Sequence, residues 1–184
     1  AMALGPAGEV IDPFGGQADL KAGVLRCVGD PDTRFAEDAL RMLRALRFAA
    51  QLGFSIEPAT LAAIGRNACR AALVSGERIK VELEKTLLSP RPEWAGEALR
   101  LGLLAHLYPE TTCPDLTRLR ELPPEPIPRW RGFCRETGFP IERLPVERAL
   151  RQGVLHPERE AVKDLALSGG QLAALGLKGK EIGA

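Results

Sequence analysis

The 184-residue sequence has two histidines, four cysteines, no long apolar run and almost no imbalance of charge. Each shortage excludes something. Cys27, Cys69, Cys113 and Cys134 lie far apart and none belongs to a C-x-x-C pair, which argues against a zinc site and a disulfide framework and for reduced, cytosolic thiols. His106 and His156 have no second histidine at metal-motif spacing, so they read as structural or exposed side chains. No apolar stretch approaches the ~20 residues needed to span a bilayer. The opening Ala1-Met2-Ala3-Leu4 lacks the basic and apolar regions of a secretion signal, so a cytoplasmic location without membrane contact is expected. A net charge of +1 gives by itself no reason to expect a nucleic-acid partner. Yet the cations are mostly arginine, whose planar guanidinium suits phosphates and base edges.

What is present is an ordinary apolar share of 45% beside 27% charged residues, which fits one or two compact domains with a real core. Residues 9–29 read as β structure. Glu9-Val10-Ile11 starts a strand, Asp12-Pro13-Phe14-Gly15-Gly16 is turn chemistry, and Val24 to Val28 is a second apolar run ended by Gly29. Two strands do not stand alone in water, so this segment is expected at the edge of a larger sheet or packed on the helices behind it.

The stretch Arg34 to Gln51 predicts one helix whose charges are patterned. At about 100° per residue, Asp38, Arg41 and Arg44 fall within an arc of about 120°, and Arg34 lies near the azimuth of Arg41. Leu40, Leu43, Leu46 and Ala50 form the opposite, apolar stripe. A salt-bridged surface helix and a ligand-binding helix both fit this pattern. Asp32 is the expected N-cap. The Asp30 and Asp32 spacing can hold metal ions, but the pair flanks Pro31 at a helix entrance, where aspartate also serves turns and caps. Gly53 ends this helix. Pro58 opens a second one carrying Leu61, Ile64 and Ala68, and Ser75 caps a third with the stripe Ile79, Leu83, Leu87 and Leu88. Glu77 and Arg78, at the start of the third helix, can reach back to the first or remain in surface pairs.

Ser89-Pro90-Arg91-Pro92 is the clearest boundary. A helix with Trp94, Leu99, Leu101, Leu103 and Leu104 comes next and ends near Tyr108-Pro109. The proline-rich run 122–128 predicts extended, non-helical chain. It leads into Arg129-Trp130-Arg131-Gly132-Phe133-Cys134-Arg135, where cations alternate with aromatics. Arg129, Arg131 and Arg135 are candidates for RNA contact, with Trp130 and Phe133 as core residues the plainer alternative. Short helices are expected over 145–152 and 157–167, then a turn, a short helix and a second turn in the glycine-rich tail. Both ends read as cut.

Four of these segments together carry a resemblance: Asp12-Pro13-Phe14-Gly15-Gly16-Gln17-Ala18-Asp19-Leu20; Arg26-Cys27-Val28-Gly29-Asp30-Pro31; the helix from Glu37 to Phe48; and Ser75-Gly76-Glu77-Arg78-Ile79-Lys80-Val81-Glu82-Leu83. In this order they resemble the bacterial-type (class II) tRNA nucleotidyltransferase and poly(A) polymerase family. The likeness is sharp over residues 1–90 and diffuse over 91–164. It implies a mostly α fold: helical neck and body domains preceded by a short β-hairpin remnant of a nucleotidyltransferase head. Residues 1–30 would be that remnant, 31–90 the neck that binds the nucleotide base, and 91–184 the body that supports tRNA, truncated at its end. It further implies untemplated addition of CCA to tRNA 3′ ends from CTP and ATP with Mg²⁺. The nucleotide-binding positions by motif match are Asp38, Arg41, Arg44 and Arg47, supported by Glu37, Glu77 and Arg78. Asp38 and Arg41 would read the base, and Arg44 and Arg47 would hold phosphate or Asp38. The metal-binding carboxylates would lie upstream of Ala1, so the chain alone is expected to transfer no nucleotide. A-adding, CC-adding and poly(A)-synthesising members share these motifs, and a non-catalytic helical RNA-binding module is the alternative from another class.

Overall fold

The computed structural model describes residues 2–109 and 113–157, so the helix and turns expected over 158–184 lie outside the described residues. The fold is mostly helical, as expected, but its N-terminal part differs from a β segment. Strand β1 (Ala3–Leu4) pairs antiparallel with β2 (Val10–Ile11), and then the chain enters helix α1 (Gly16–Ala22), between the two runs of a segment read as β structure. The Asp12 carboxylate explains this. Its two oxygens accept the amides of Gly16 at 2.7 Å and Gln17 at 2.8 Å, satisfying donors that the first turn of a helix leaves free. These two amide bonds hold the Asp12 carboxyl below the usual carboxylate range. Gly15 and Gly23, with φ of 70° and 66°, bracket the helix in the left-handed region that glycine alone enters without strain. Strand β3 (Val24–Leu25) then pairs with neither hairpin strand. Its partner is the distant β4 (Ser55–Ile56), in parallel.

Between these two strands lies the region read as one helix, and it is two. Helix α2 (Pro31–Glu37) stops at Asp38, whose backbone is extended (φ −149°, ψ 101°), and α3 (Leu40–Leu52) begins beyond it. Helical periodicity on both sides hides the break. Its cause is local: the Asp38 carboxylate accepts the Leu40 amide at 3.1 Å, capping the second helix at the cost of continuing the first. The cap of α2 is Asp30 and not Asp32, with Thr33 donating from both amide and hydroxyl. The break lets α2 pack on α4 (Pro58–Asn67) while α3 packs on α5 (Gly76–Leu87). Gly53 ends α3 at φ 71° and Pro58 opens α4, both as expected.

Beyond the Ser89–Pro92 turn, α6 (Trp94–Arg100) packs on α3 and α5, and α7 (Pro126–Thr137) packs on α5 and on α8 (Arg148–Leu155). The start of α7 corrects the expectation of extended chain through residue 128. Pro126 and Pro128 occupy its first turn, where amide hydrogens have no helical acceptor and their loss is harmless. The first ladder bond runs from the Arg129 amide to the Glu125 carbonyl, at 3.2 Å. Trp130 and Phe133 are fully buried and meet edge to face, so the aromatic half of this segment is core. One apolar cluster runs from Phe35 through Ile79, Leu83 and Leu104 to Val154. Among the described residues no helix is long and apolar enough to cross a membrane.

Candidate functional site

Helix α3 places Arg41, Arg44 and Arg47 on successive turns, while Leu40, Leu43, Leu46 and Ala50 face the core. Asp38 stands just before the helix and not on its face, which replaces the single charged arc inferred from periodicity. Its carboxylate has two fixed neighbours, the Leu40 amide and the Arg78 guanidinium, the latter 3.3 and 3.4 Å from its two oxygens. Arg34, left behind on α2, bonds to Glu37 at 3.0 Å and to the Val28 carbonyl at 3.3 Å.

The two later arginines share one acceptor. Arg44 Nε lies 3.2 Å from one oxygen of Glu82 and Arg47 Nε 2.6 Å from the other. The Glu82 side chain is only 6% exposed, so its charge is matched by guanidinium groups and not by water. Arg47 also donates to Gln51 at 2.7 Å, and its guanidinium carbon stands 4.0 Å from the centre of the Phe48 ring. Arg44 and Arg47 are thus held by α5, and neither bonds to Asp38. Arg41 is exposed, and its guanidinium makes no hydrogen bond or ion pair among the described residues.

Arg41 and Arg44 line a cleft of about 540 Å³. Its other walls include Leu25, Cys27 and Val28 on and after β3, with Phe35, Ala45 and Phe48. The Cys27 amide donates to the Thr60 hydroxyl at 3.1 Å, which fastens this wall to α4, and burial pushes the Cys27 thiol up. The same wall is tied by Arg26, which bonds to Asp19 and Glu57.

Of the expected supporting residues, Arg78 reaches Asp38 while Glu37 serves Arg34. Glu77 is exposed and does not reach α3; Glu82, one and a half turns further along α5, does that work. Sequence reasoning missed it, although a signal exists: Glu82 lies three residues after Ile79 and beside Leu83, so a carboxylate flanks the apolar stripe of α5 and needs a cation from the facing helix.

The three arginines proposed for RNA contact fare differently. Arg129 is 4% exposed and donates to the carbonyls of Leu87, Leu122 and Pro123, all at 3.1 Å. It joins the end of α5 to the approach to α7 and presents nothing to solvent. Arg131 donates to the Gly153 carbonyl at 2.6 and 3.2 Å, tying α7 to α8. Arg135 alone lies well in solvent, paired with its neighbour Glu136.

Asp30 and Asp32 do not fit a Mg²⁺ site. The Thr33 hydroxyl and amide occupy Asp30, and Arg66 and Asn67 occupy the two oxygens of Asp32, so both carboxyls sit below the ordinary range through these bonds. Among the described residues no cluster of three histidine, cysteine, aspartate or glutamate side chains is placed to hold a metal ion.

Residues 53–113 match the family described as "Probable RNA and SrmB- binding site of polymerase A". The chain is 51% identical over 118 residues to the CCA-adding enzyme of Limosilactobacillus fermentum, covering 63% of this chain and 28% of that protein. It is 41% identical over 152 residues to the CCA-adding enzyme of Anoxybacillus flavithermus, covering 78% and 38%. A crystal structure of the Bacillus stearothermophilus CCA-adding enzyme in complex with CTP superposes with a TM-score of 0.70 at 31% identity, covering 94% of this chain and 47% of that one. The chain therefore spans less than half the length of each of these relatives.

Proposed function

Because this chain belongs to the family of bacterial-type tRNA nucleotidyltransferases and poly(A) polymerases, we propose that it supplies the nucleotide-selecting and tRNA-supporting part of a cytoplasmic enzyme that adds CCA to tRNA 3′ ends from CTP and ATP. In this reading residues 31–90 hold the nucleotide and residues from 91 onward support the tRNA. Mg²⁺, which supplies charge neutralisation for phosphoryl transfer in such enzymes, has no ligand set among the described residues.

The observation that carries the reading is the contrast along α3. Glu82 engages Arg44 and Arg47, whereas Arg41 keeps its donors for a ligand in the cleft, and Asp38, three residues earlier and outside the cleft lining, offers a carboxylate whose position Arg78 and the Leu40 amide fix. Cytosine and adenine each present an amino donor next to an unprotonated ring nitrogen. Guanine and uracil present a carbonyl next to a ring N–H. A carboxylate only accepts and a guanidinium only donates, so Asp38 toward the amino group and Arg41 toward the ring nitrogen admit C and A and leave G and U with two mismatched pairs. In a cleft this open each mismatch is worth the low end of the buried range, ~1 kcal/mol. Two amount to a discrimination of about thirtyfold.

Titration of the chain with the four nucleoside triphosphates by NMR tests this. CTP and ATP are expected to bind more tightly than UTP and GTP, and Asp38→Ser, which keeps a helix-capping oxygen but removes the carboxylate, to abolish the difference. Equal affinity for all four in the unsubstituted chain would overturn the reading. The match of residues 53–113 to a segment of a poly(A) polymerase favours, as a second reading, an enzyme that adds A alone; a marked preference for ATP over CTP in the same titration would select it.

A further inference from the structure

Phe48 follows Arg44 by four residues and Arg41 by seven, so it shares their face of α3, and it lines the same cleft. Its ring is 40% exposed, while Leu40, Met42, Leu43 and Leu46 of the same helix are buried. One side of the ring is already occupied. The Arg47 guanidinium lies 4.0 Å from the ring centre and is fixed there by Glu82 at 2.6 Å and Gln51 at 2.7 Å. The side away from Arg47 is the one left to meet the cleft. A cation on one face of an aromatic ring draws its π density and makes the opposite face a better partner for an electron-rich heterocycle. The ring is carried on a helix and clamped by a guanidinium, so ordering it on binding costs little.

We propose that Phe48 is a stacking platform for a second nucleobase, one belonging to the single-stranded end of an RNA. The inference rests on the cleft being a nucleotide site, and it adds a contact that hydrogen bonding by Asp38 and Arg41 does not supply. Seven residues of α3 separate Phe48 from Arg41 by about 10 Å along the helix axis, which is too far for one base to lie in the plane of the Arg41 donors and also stack on the ring. A neighbouring base of a strand running along the α3 face meets the ring. Stacking reads no sequence, since every base has a π face, so the platform positions the strand while Asp38 and Arg41 select.

The test is binding of a single-stranded RNA hexamer ending in CCA to the full chain, monitored by fluorescence anisotropy of a 5′ dye. Loss of one base stack predicts a weakening of about fivefold to a hundredfold in Phe48→Leu, with Phe48→Tyr, which keeps the ring, restoring the affinity. Thermal melting of both variants checks that the fold is retained. Equal affinity of Phe48→Leu and the unsubstituted chain overturns the platform, and so does a loss of equal size in Phe48→Tyr. The preference for CTP and ATP, measured on the unsubstituted chain in separate titrations, keeps the two failures apart: if that preference holds while Phe48→Leu changes nothing, only the platform falls.

Discussion

Arginines on successive turns of one helix repel each other unless something neutralises them, and Glu82 does so for two of the three on α3. This gives neighbouring residues of the same type different properties. Arg44 and Arg47 are structural before they are anything else, and Arg41 is not. Glu82→Gln is expected to lower the unfolding free energy by about 1–2 kcal/mol, the lower part of the range for a buried unpaired group, because Arg44 is 46% exposed and can turn to water. Arg41→Gln should stay within about 0.5 kcal/mol of the parent while weakening CTP and ATP binding. Urea unfolding and nucleotide titration of both variants check this, and an Arg41 variant as destabilised as the Glu82 variant contradicts the division. At this scale the sequence indicated which residues share a helix face better than what they touch. Arg41 and Arg44 share a face of α3 as their local spacing predicts, whereas Asp38, read onto the same face, lies off it. Glu82 was not singled out, since its partners lie 35 and 38 residues away. Arg129 was misassigned for the same reason: its acceptor at Leu87 is 42 residues distant, and an arginine beside a tryptophan has the same spacing whether it faces solvent or a buried carbonyl.

Secondary-structure elements obey two kinds of signal, and only one of them is periodic. Apolar spacing made α3, α4 and α5 legible, with Gly53 and Pro58 marking ends. The break at Asp38 and the short α1 were not legible, because both depend on a carboxylate choosing nearby amides over solvent, which no periodicity registers. Capping by Asp30 makes a related prediction about acidity. Thr33, through its hydroxyl and its amide, holds the Asp30 carboxyl below its ordinary value. A carboxyl whose folded value is depressed adds stability that is fully present above its unfolded value, near pH 4, and is lost as pH falls through the lower folded value. Asp30→Ala should therefore melt below the parent at neutral pH, with the gap narrowing once the solution is taken below about pH 4. Thermal melts from pH 7 to pH 2.5 measure it. A gap independent of pH would mean that the charge on Asp30 contributes nothing to the cap.

Across the whole molecule, the helices before and after the Ser89–Pro92 turn share one apolar cluster, and the joints between them are buried and polar. Arg129 grips the last carbonyl of α5, and the Trp130 indole donates to Glu84 at 3.0 Å. Unfolding should therefore be a single cooperative event. Tryptophan fluorescence, which reports on Trp94 and Trp130 on two helices beyond the turn, and far-UV circular dichroism, which reports on every helix, should give coincident urea transitions. Separate midpoints would show that residues 31–90 unfold independently of the helices beyond the turn. The parallel pairing of β3 with β4 has a kinetic meaning within this cooperative whole. Two short strands enclosing α2 and α3 close a long loop with few hydrogen bonds, so the loop entropy is met only after the enclosed helices have condensed. The amides of Ser55 and Glu57, which bond across to Gly23 and Leu25 at 2.9 Å, should gain protection in pulsed hydrogen exchange later than those of α3. The strand that walls the cleft is then the last part to be laid down, and a chain caught partway through refolding has its arginines in place but nothing opposite them.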